Sequence, residues 1–413
     1  MKRKSEFILI LAAALLQLML LFTHGIQEFI DTETFHVAAD RLLQGELDEV
    51  RTPVYPAVIA LAKTIWPAGT HEVVVGIQVL LFLVSVAYFF RTTQLLGFGQ
   101  RLGIIVTAMY ALYPSIQNKN LCILSESLAI SGGVLFIYSL IQWLRERPSW
   151  PHTCCLGVGM VTLVMLRPSF LYLWVMLGVI CVLLTVMKQW IRCVHLIGVL
   201  IVSGFIWGAY CKAIEQKTQL FTLSTVSLHN EEFIALNIGR LTSDNISDPE
   251  IREVVREWEA KGEREYIFDG PDLTQIPYIQ VSQEIKALKN IDPWSWYRDV
   301  LLTNLRSSSK EAFVPLGSIC ILNFFQLYVG LLLMGIAGLI ASLKKRKCPL
   351  AAIALGLMCL GNLGVNLLGS FAEWQRLFLP SVPAVWLLIG MCLKEIKNAI
   401  PTKEPRPHPS QQG

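Results

Sequence analysis

Long apolar stretches separated by short charged ones fill most of the sequence. A helix needs about 17–25 predominantly apolar residues to cross a bilayer, and ten stretches are candidates: roughly 7–24, 73–90, 102–116, 125–144, 153–166, 168–187, 194–213, 321–343, 349–368 and 374–393. The third and fifth are short for a crossing. Between 214 and 319 the pattern becomes that of a water-soluble segment. There, Asp248-Pro249-Glu250 reads as an N-cap with proline at the first helical position, continued by Ile251, Val254, Val255 and Trp258. Asp292-Pro293 opens a second amphipathic helix that leads back to the membrane. A third such helix follows the first apolar run, where Phe35, Ala38, Ala39, Leu42 and Leu43 recur at helical spacing and Gly45 ends the pattern. It predicts a short helix at the membrane surface, with Asp31 or Thr32 placed to cap it.

This pattern predicts an all-α polytopic membrane protein of about ten transmembrane helices with one outer-face soluble domain. Residues 1–213 form a membrane module of seven helices with a first outer loop at 25–72. Residues 214–320 form the soluble, mainly helical domain, 321–393 three further helices, and 394–413, rich in Pro, Gln and Ser near its end, a disordered cytoplasmic tail. Composition agrees: 54% hydrophobic and 16% charged residues is far more apolar than a soluble chain of 413 residues needs. The first run is too long for a typical secretory signal core and lacks a small-residue cleavage pattern, so it reads as an uncleaved helix.

Charge gives the orientation. With the Met1-Lys2-Arg3-Lys4 end in the cytoplasm, cytoplasmic segments hold 17 Lys and Arg against 4 Asp and Glu, and outer segments 18 against 27. That is the positive-inside distribution. It requires 153–187 to be a hairpin turning at Arg167-Pro168. Ten cysteines avoid the 214–319 segment, which argues against a disulfide framework. The net charge of +4 follows from the cytoplasmic loops and carries no nucleic-acid signal.

The chemistry-bearing residues gather at one boundary. Counting crossings places Asp31, Glu126, Arg167, Glu373 and Arg376 all at the outer ends of their helices. Each has a structural explanation alone, as a cap, a dipole partner, a snorkelling arginine or an i, i+3 pair. Their shared side points to a polar cavity. A carboxylate can take the proton of an attacking hydroxyl, and guanidinium groups can grip a phosphate leaving group. No Walker loop, dinucleotide fingerprint or Asp-x-Asp occurs, so an activated donor would be lipid-linked.

The ordered motifs carry a resemblance. Asp31, then Leu42-Leu43-Gln44-Gly45 and Arg51-Thr52-Pro53-Val54-Tyr55-Pro56-Ala57, are followed by Leu124-Ser125-Glu126-Ser127-Leu128-Ala129 and Leu166-Arg167-Pro168-Ser169. Asn290-Ile291-Asp292-Pro293 and the stretch Glu373-Trp374-Gln375-Arg376-Leu377-Phe378-Leu379-Pro380-Ser381-Val382-Pro383 complete the order. Together they resemble the GT-C membrane glycosyltransferases, the group of protein O-mannosyltransferases and lipid A aminoarabinose transferases. The resemblance implies inverting transfer of a sugar from a polyprenyl-phosphate donor to a lipid, glycan or protein acceptor on the outer face. It assigns Asp31 as base and Glu126 as a second acid at the cavity mouth, with Glu33 sharing the acidic role or helping to hold a divalent cation. Arg376, Arg51 and Arg167 are the phosphate candidates, Arg376 first, and Tyr55 and Glu373 the substrate-binding ones. The resemblance names no cofactor other than an optional divalent cation, and the implied setting is a bacterial inner membrane with the site facing the periplasm. The chain departs from the pattern in having Phe378 where a tyrosine is usual and a soluble domain of only about 105 residues. It lacks the Trp-Trp-Asp signature of oligosaccharyltransferases.

Other features read blandly. No metal site is expected: His24, His36 and His71 show no paired spacing, and Cys154-Cys155 has no companion pair. Asn245-Ile246-Ser247 fits a glycosylation acceptor pattern, and Gly204 and Gly208 frame a small-xxx-small step expected to pack helices. The alternative function is a transport or non-catalytic component of an envelope glycan pathway; a transporter should show inverted repeats and charge near mid-membrane.

Overall fold

The computed structural model describes residues 2–262, 269–310, 349–371 and 373–399, with isolated positions between 333 and 340. No strand occurs among them. Among the described residues, seven helices are long and apolar enough to cross a membrane: Lys4–His24, Pro67–Leu95, Glu126–Arg145, Pro168–Val186, Trp190–Thr218, Leu350–Gly369 and Arg376–Asn398. The chain is thus an all-α, multi-pass membrane protein. Two of the remaining expected crossings are shorter helices, Gly99–Ala111 and Trp150–Leu166. The tenth, 321–343, and most of the C-terminal tail lie outside the described residues.

In chain order the bundle begins with α1 (Lys2–His24), α2 (Ile30–Leu43), α3 (Val54–Ile65), α4 (Thr70–Leu95) and α5 (Gly99–Ala111). It continues through α6 (Pro114–Lys119), α7 (Glu126–Arg145), α8 (Trp150–Leu166), α9 (Tyr172–Val186) and α10 (Trp190–Thr218). After the 220–310 segment come α15 (Pro349–Gly369), α16 (Trp374–Phe378) and α17 (Val382–Ala399). Helix α7 is largely buried and packs along α4 and α8. Its apolar residues show no single polar face because neighbours cover it on several sides.

Between α5 and α7 the chain is broken into the short α6 and non-helical backbone on either side of it, and the polar groups of this segment find partners inside the protein, as non-helical backbone at membrane depth must. Gln17 donates to the Gln117 carbonyl (3.1 Å) and accepts from the Asn120 amide (3.1 Å). Gln78 donates to the carbonyls of Asn120 and Cys122, each at 2.9 Å, while Tyr55 donates its hydroxyl to Gln78 (2.9 Å). Gln27 pairs with this segment through two backbone bonds, and Thr32 donates to the Ile123 carbonyl (3.1 Å). These polar residues explain why the 102–116 stretch is a short helix followed by a shelf. The shelf delivers Glu126 to the start of α7.

A second core lies beside the bundle. Helices α11 (Val226–Asn237), α12 (Pro249–Glu259), α13 (Tyr278–Ile291) and α14 (Pro293–Lys310) close around buried Leu228, Ile251, Val255, Ile285, Trp296 and Val300. Asp248 caps α12 as its sequence predicts, accepting from the Glu250 and Ile251 N–H groups at 3.0 and 3.1 Å. Asp292 likewise accepts from the Ser295 N–H (3.1 Å). Phe371, between α15 and α16, enters this core and stacks on Phe233 at 4.8 Å. Thr225 donates its N–H to the Glu49 carbonyl (2.9 Å), and the Ser224 hydroxyl bonds the Val50 carbonyl. The four helices therefore cap the bundle at the end that carries Arg51.

Candidate active site

Asp31 sits in the first turn of α2, and its carboxylate caps nothing. Thr32 takes the local role, accepting the Phe29 N–H at 2.9 Å. Asp31 is free to reach across the end of the bundle, where Oδ1 meets Arg51 Nη2 at 2.6 Å and Oδ2 meets Arg376 Nη2 at 2.5 Å. Arg51 is fixed on its own side by Asp48, which accepts the Val50 and Arg51 N–H groups (2.8 and 2.6 Å). Its guanidinium also donates to Thr34 (2.8 Å) and lies over the Phe35 ring at 4.4 Å. Thr52 bonds the Leu166 carbonyl (3.3 Å), which holds the Arg51 loop against Arg167 at the end of α8.

Arg376 is the hub. Nε lies 2.5 Å from Glu126, Nη2 on Asp31, and Nη1 2.9 Å from Glu373. Arg167 Nη1 lies 3.0 Å from the same Glu126 oxygen. Asn366 donates to the Leu377 carbonyl (2.9 Å) and fixes the turn that presents Arg376. Glu373, just before it, adopts left-handed backbone (φ 59°), a conformation that costs a residue with a Cβ. Three acids and three arginines thus cancel in one cluster, which is what lets so many charges leave water together.

Outside the membrane-spanning helices the direction of each acid's titration follows from its neighbours. Burial pushes the Asp31 carboxyl up, but Arg51 and Arg376 together hold it below the usual carboxylate range. Burial raises Glu373, with Asp31 and Glu126 adding to it and Arg376 opposing.

The cluster floors a cavity of about 1130 Å³ lined by Asp31, Arg51, Arg167, Glu373 and Arg376. Glu126 does not line it: its side chain is 1% exposed and lies behind Arg167 and Arg376. Tyr55 is fully buried behind the floor, edge-on to Phe35 and bonded to Gln78. Phe378 is also fully buried in the main core, so a hydroxyl missing there removes no group from the cavity. Gly204 and Gly208 line the cavity, and nothing among the described residues lies within 4 Å of where a Cβ would stand on either. Their step opens space where helix packing is expected.

Glu33 lies elsewhere. Two residues apart on a helix means about 200° of rotation, and Glu33 lines a separate hollow with Glu28, His36 and His71. There His36 Nε2 and His71 Nε2 are 3.0 Å apart, and His71 Nδ1 lies 3.2 Å from Glu28. No three His, Cys, Asp or Glu among the described residues are placed to hold a metal ion together. The residues that the sequence reading missed are those of the cavity wall, drawn from 221–233 and 274–278. They carry no motif, and only the docking of α11 and α13 brings them there.

Neither a protein-family model nor a curated protein sequence matches the chain. Its fold does have a likeness. An archaeal oligosaccharyltransferase, AglB from Archaeoglobus fulgidus, solved in complex with an inhibitory peptide and a dolichol-phosphate, superposes with a TM-score of 0.51 at 12% identity. The match covers 97% of this chain and 52% of that one, so the chain spans about half the length of AglB. The likeness is one of fold alone.

Proposed function

We propose that the chain is an inverting membrane glycosyltransferase that moves a sugar from a polyprenyl-phosphate donor to an acceptor hydroxyl. The observation that carries this reading is Asp31, held between two arginines on the floor of a cavity that a third arginine also lines. Asp31 takes the proton as the acceptor oxygen attacks the anomeric carbon. The bond from that carbon to the phosphate oxygen breaks, and the polyprenyl phosphate leaves with the electron pair. Attack opposite the leaving group inverts the configuration.

The arginines divide the work. All three nitrogens of Arg376 already face carboxylates, so it orders the acids. Arg167, with one nitrogen on Glu126, and Arg51 have guanidinium N–H groups to offer the phosphate. A phosphate that draws Arg51 from Asp31 also returns basicity to Asp31 as the donor binds. Glu126 positions Arg167 and Arg376 from behind, and Glu373 lies on the floor beside the transferred sugar.

The positive-inside distribution supports a reading with the cavity and the 214–320 domain on the outer face of a bacterial inner membrane, the site facing the periplasm. The test is to reconstitute the protein in liposomes and offer it a panel of undecaprenyl- and dolichyl-phosphate hexoses and pentoses. Release of polyprenyl phosphate, lost in Asp31→Asn, is expected. Movement of the intact donor across the bilayer with no bond broken would replace this reading by the transport one.

A further inference from the structure

The cavity has two surfaces of different chemistry. Among the described residues, its floor holds every Asp, Glu, Lys or Arg that lines it: Asp31, Arg51, Arg167, Glu373 and Arg376. The wall contributed by residues 221–233 and 274–278 has none of these residue types. Its lining side chains are hydroxyl, amide, apolar and aromatic, among them Phe221, Ser227, Asn230, Thr274 and Tyr278, with one imidazole, His229, which lies 3.4 Å from Glu232. We propose that this wall binds the acceptor and that the acceptor is a neutral, polyhydroxylated glycan. The proposal rests on the transferase reading above.

Three observations converge. First, a charged acceptor moved into a half-enclosed cavity needs an opposite charge beside it, since an uncompensated ion loses its hydration. The wall's lining holds no Asp, Glu, Lys or Arg, its one imidazole, His229, already faces Glu232, and the floor's charges are matched among themselves. Second, a peptide acceptor is held in most recognition modes through a sheet edge, an amphipathic groove or capture of a charged terminus. No strand exists among the described residues to offer an edge. Third, the wall has what sugar rings require. Phe221, 63% exposed, and Tyr278 present flat apolar surface to ring C–H groups. The Asn230 side chain, which bonds none of the described residues, offers both a donor and an acceptor to hydroxyls. The volume of about 1130 Å³ exceeds the about 300–1,000 Å³ of an ordinary small-molecule pocket, leaving room for a donor sugar and an acceptor unit together.

The wall is also held at the right place. Thr225 and Ser224 bond the backbone of Glu49 and Val50, next to Arg51, and Phe233 stacks on Phe371 near Glu373. Acceptor surface and charged floor are therefore fixed to each other on both sides.

The experiment uses the full-length protein in liposomes with the lipid-phosphate sugar panel and three labelled acceptors. These are neutral oligosaccharides, peptides containing Ser, Thr and Asn, and a lipid with a phosphorylated head group. Donor consumption and labelled product are measured separately. Transfer to the oligosaccharides is expected, and Asn230→Ala and Tyr278→Ala should each raise the acceptor KM about tenfold, the effect of roughly one hydrogen bond. The donor KM should stay within about twofold of the parent, which also reports that the variants are folded. Transfer to the peptide or phosphorylated lipid alone overturns the inference and leaves the transferase reading standing. So does an oligosaccharide KM that neither substitution moves. Failure to consume any donor with any acceptor overturns both.

Discussion

The two faces of α2 show how differently the same residue types can be used. On one, Asp31 is clasped by Arg51 and Arg376 within a cluster that reaches four other elements of the bundle. On the other, Glu33, Glu28, His36 and His71 gather in an open hollow, with Glu28 62% exposed. The first set is sheltered and matched charge for charge, and the second is wet and loosely paired. What separates an acid suited to chemistry from an acid at the surface is the cations that distant parts of the chain bring to it. Two residues of sequence are enough to cross from one situation to the other.

Asp31→Asn should break the comparison most sharply. It keeps the shape of the side chain and removes the proton acceptor, so kcat should fall by about 10²–10⁴ in the polyprenyl-phosphate assay. Arg376→Ala comes next, since it takes a shared cation from three sheltered carboxylates and leaves Glu373 without its ion pair. It should cost about 3–5 kcal/mol of stability, read as an earlier unfolding transition in detergent. If it leaves the transition where it was, the hub role is wrong.

The pH dependence sharpens the contrast further. Because two arginines hold Asp31 below the ordinary carboxylate range, kcat/KM should stay level as pH falls through that range and drop only below it. Arg51→Ala removes one of these cations and should move the acid limb to higher pH. The linked stability has the same sign: Asp31's contribution is present above its unfolded-state pKa and lost as pH falls through the lower folded one. The smallest effects belong to the open face. Glu33→Gln and His36→Ala should each change turnover by no more than about twofold, as surface substitutions do. A loss at Glu33 comparable to that at Asp31 would erase the distinction between the faces.

Much of this was legible in the sequence, for reasons that differ by region. The seven long crossings are readable because bilayer thickness fixes their length and lipid fixes their composition. The convergence of Asp31, Glu126, Arg167, Glu373 and Arg376 is readable because each lies at the same end of a crossing, which leaves them few places to be. The separation of Asp31 from Glu33 was hidden by a helix that begins at Ile30, earlier than its apolar spacing shows. Glu126 was expected at the cavity mouth and lies behind the floor, because how far a shelf pushes a helix start inward depends on Gln17, Gln27 and Gln78. Their side-chain bonds have no local signature. The neutral wall was invisible for a simpler reason: Phe221, Asn230 and Tyr278 acquire meaning only from what they face.

The shelf between α5 and α7 has one more consequence, for how the chain is made. Its backbone could not rest in lipid unaided, because its carbonyl and amide groups would lack partners. The residues that satisfy it from outside the segment, Gln17, Gln27, Thr32 and Gln78, all precede it in sequence. During synthesis from the N-terminus they have all been made by the time the shelf emerges. The order of translation is therefore also an order of assembly, and the bed for Glu126 is laid before Glu126 arrives.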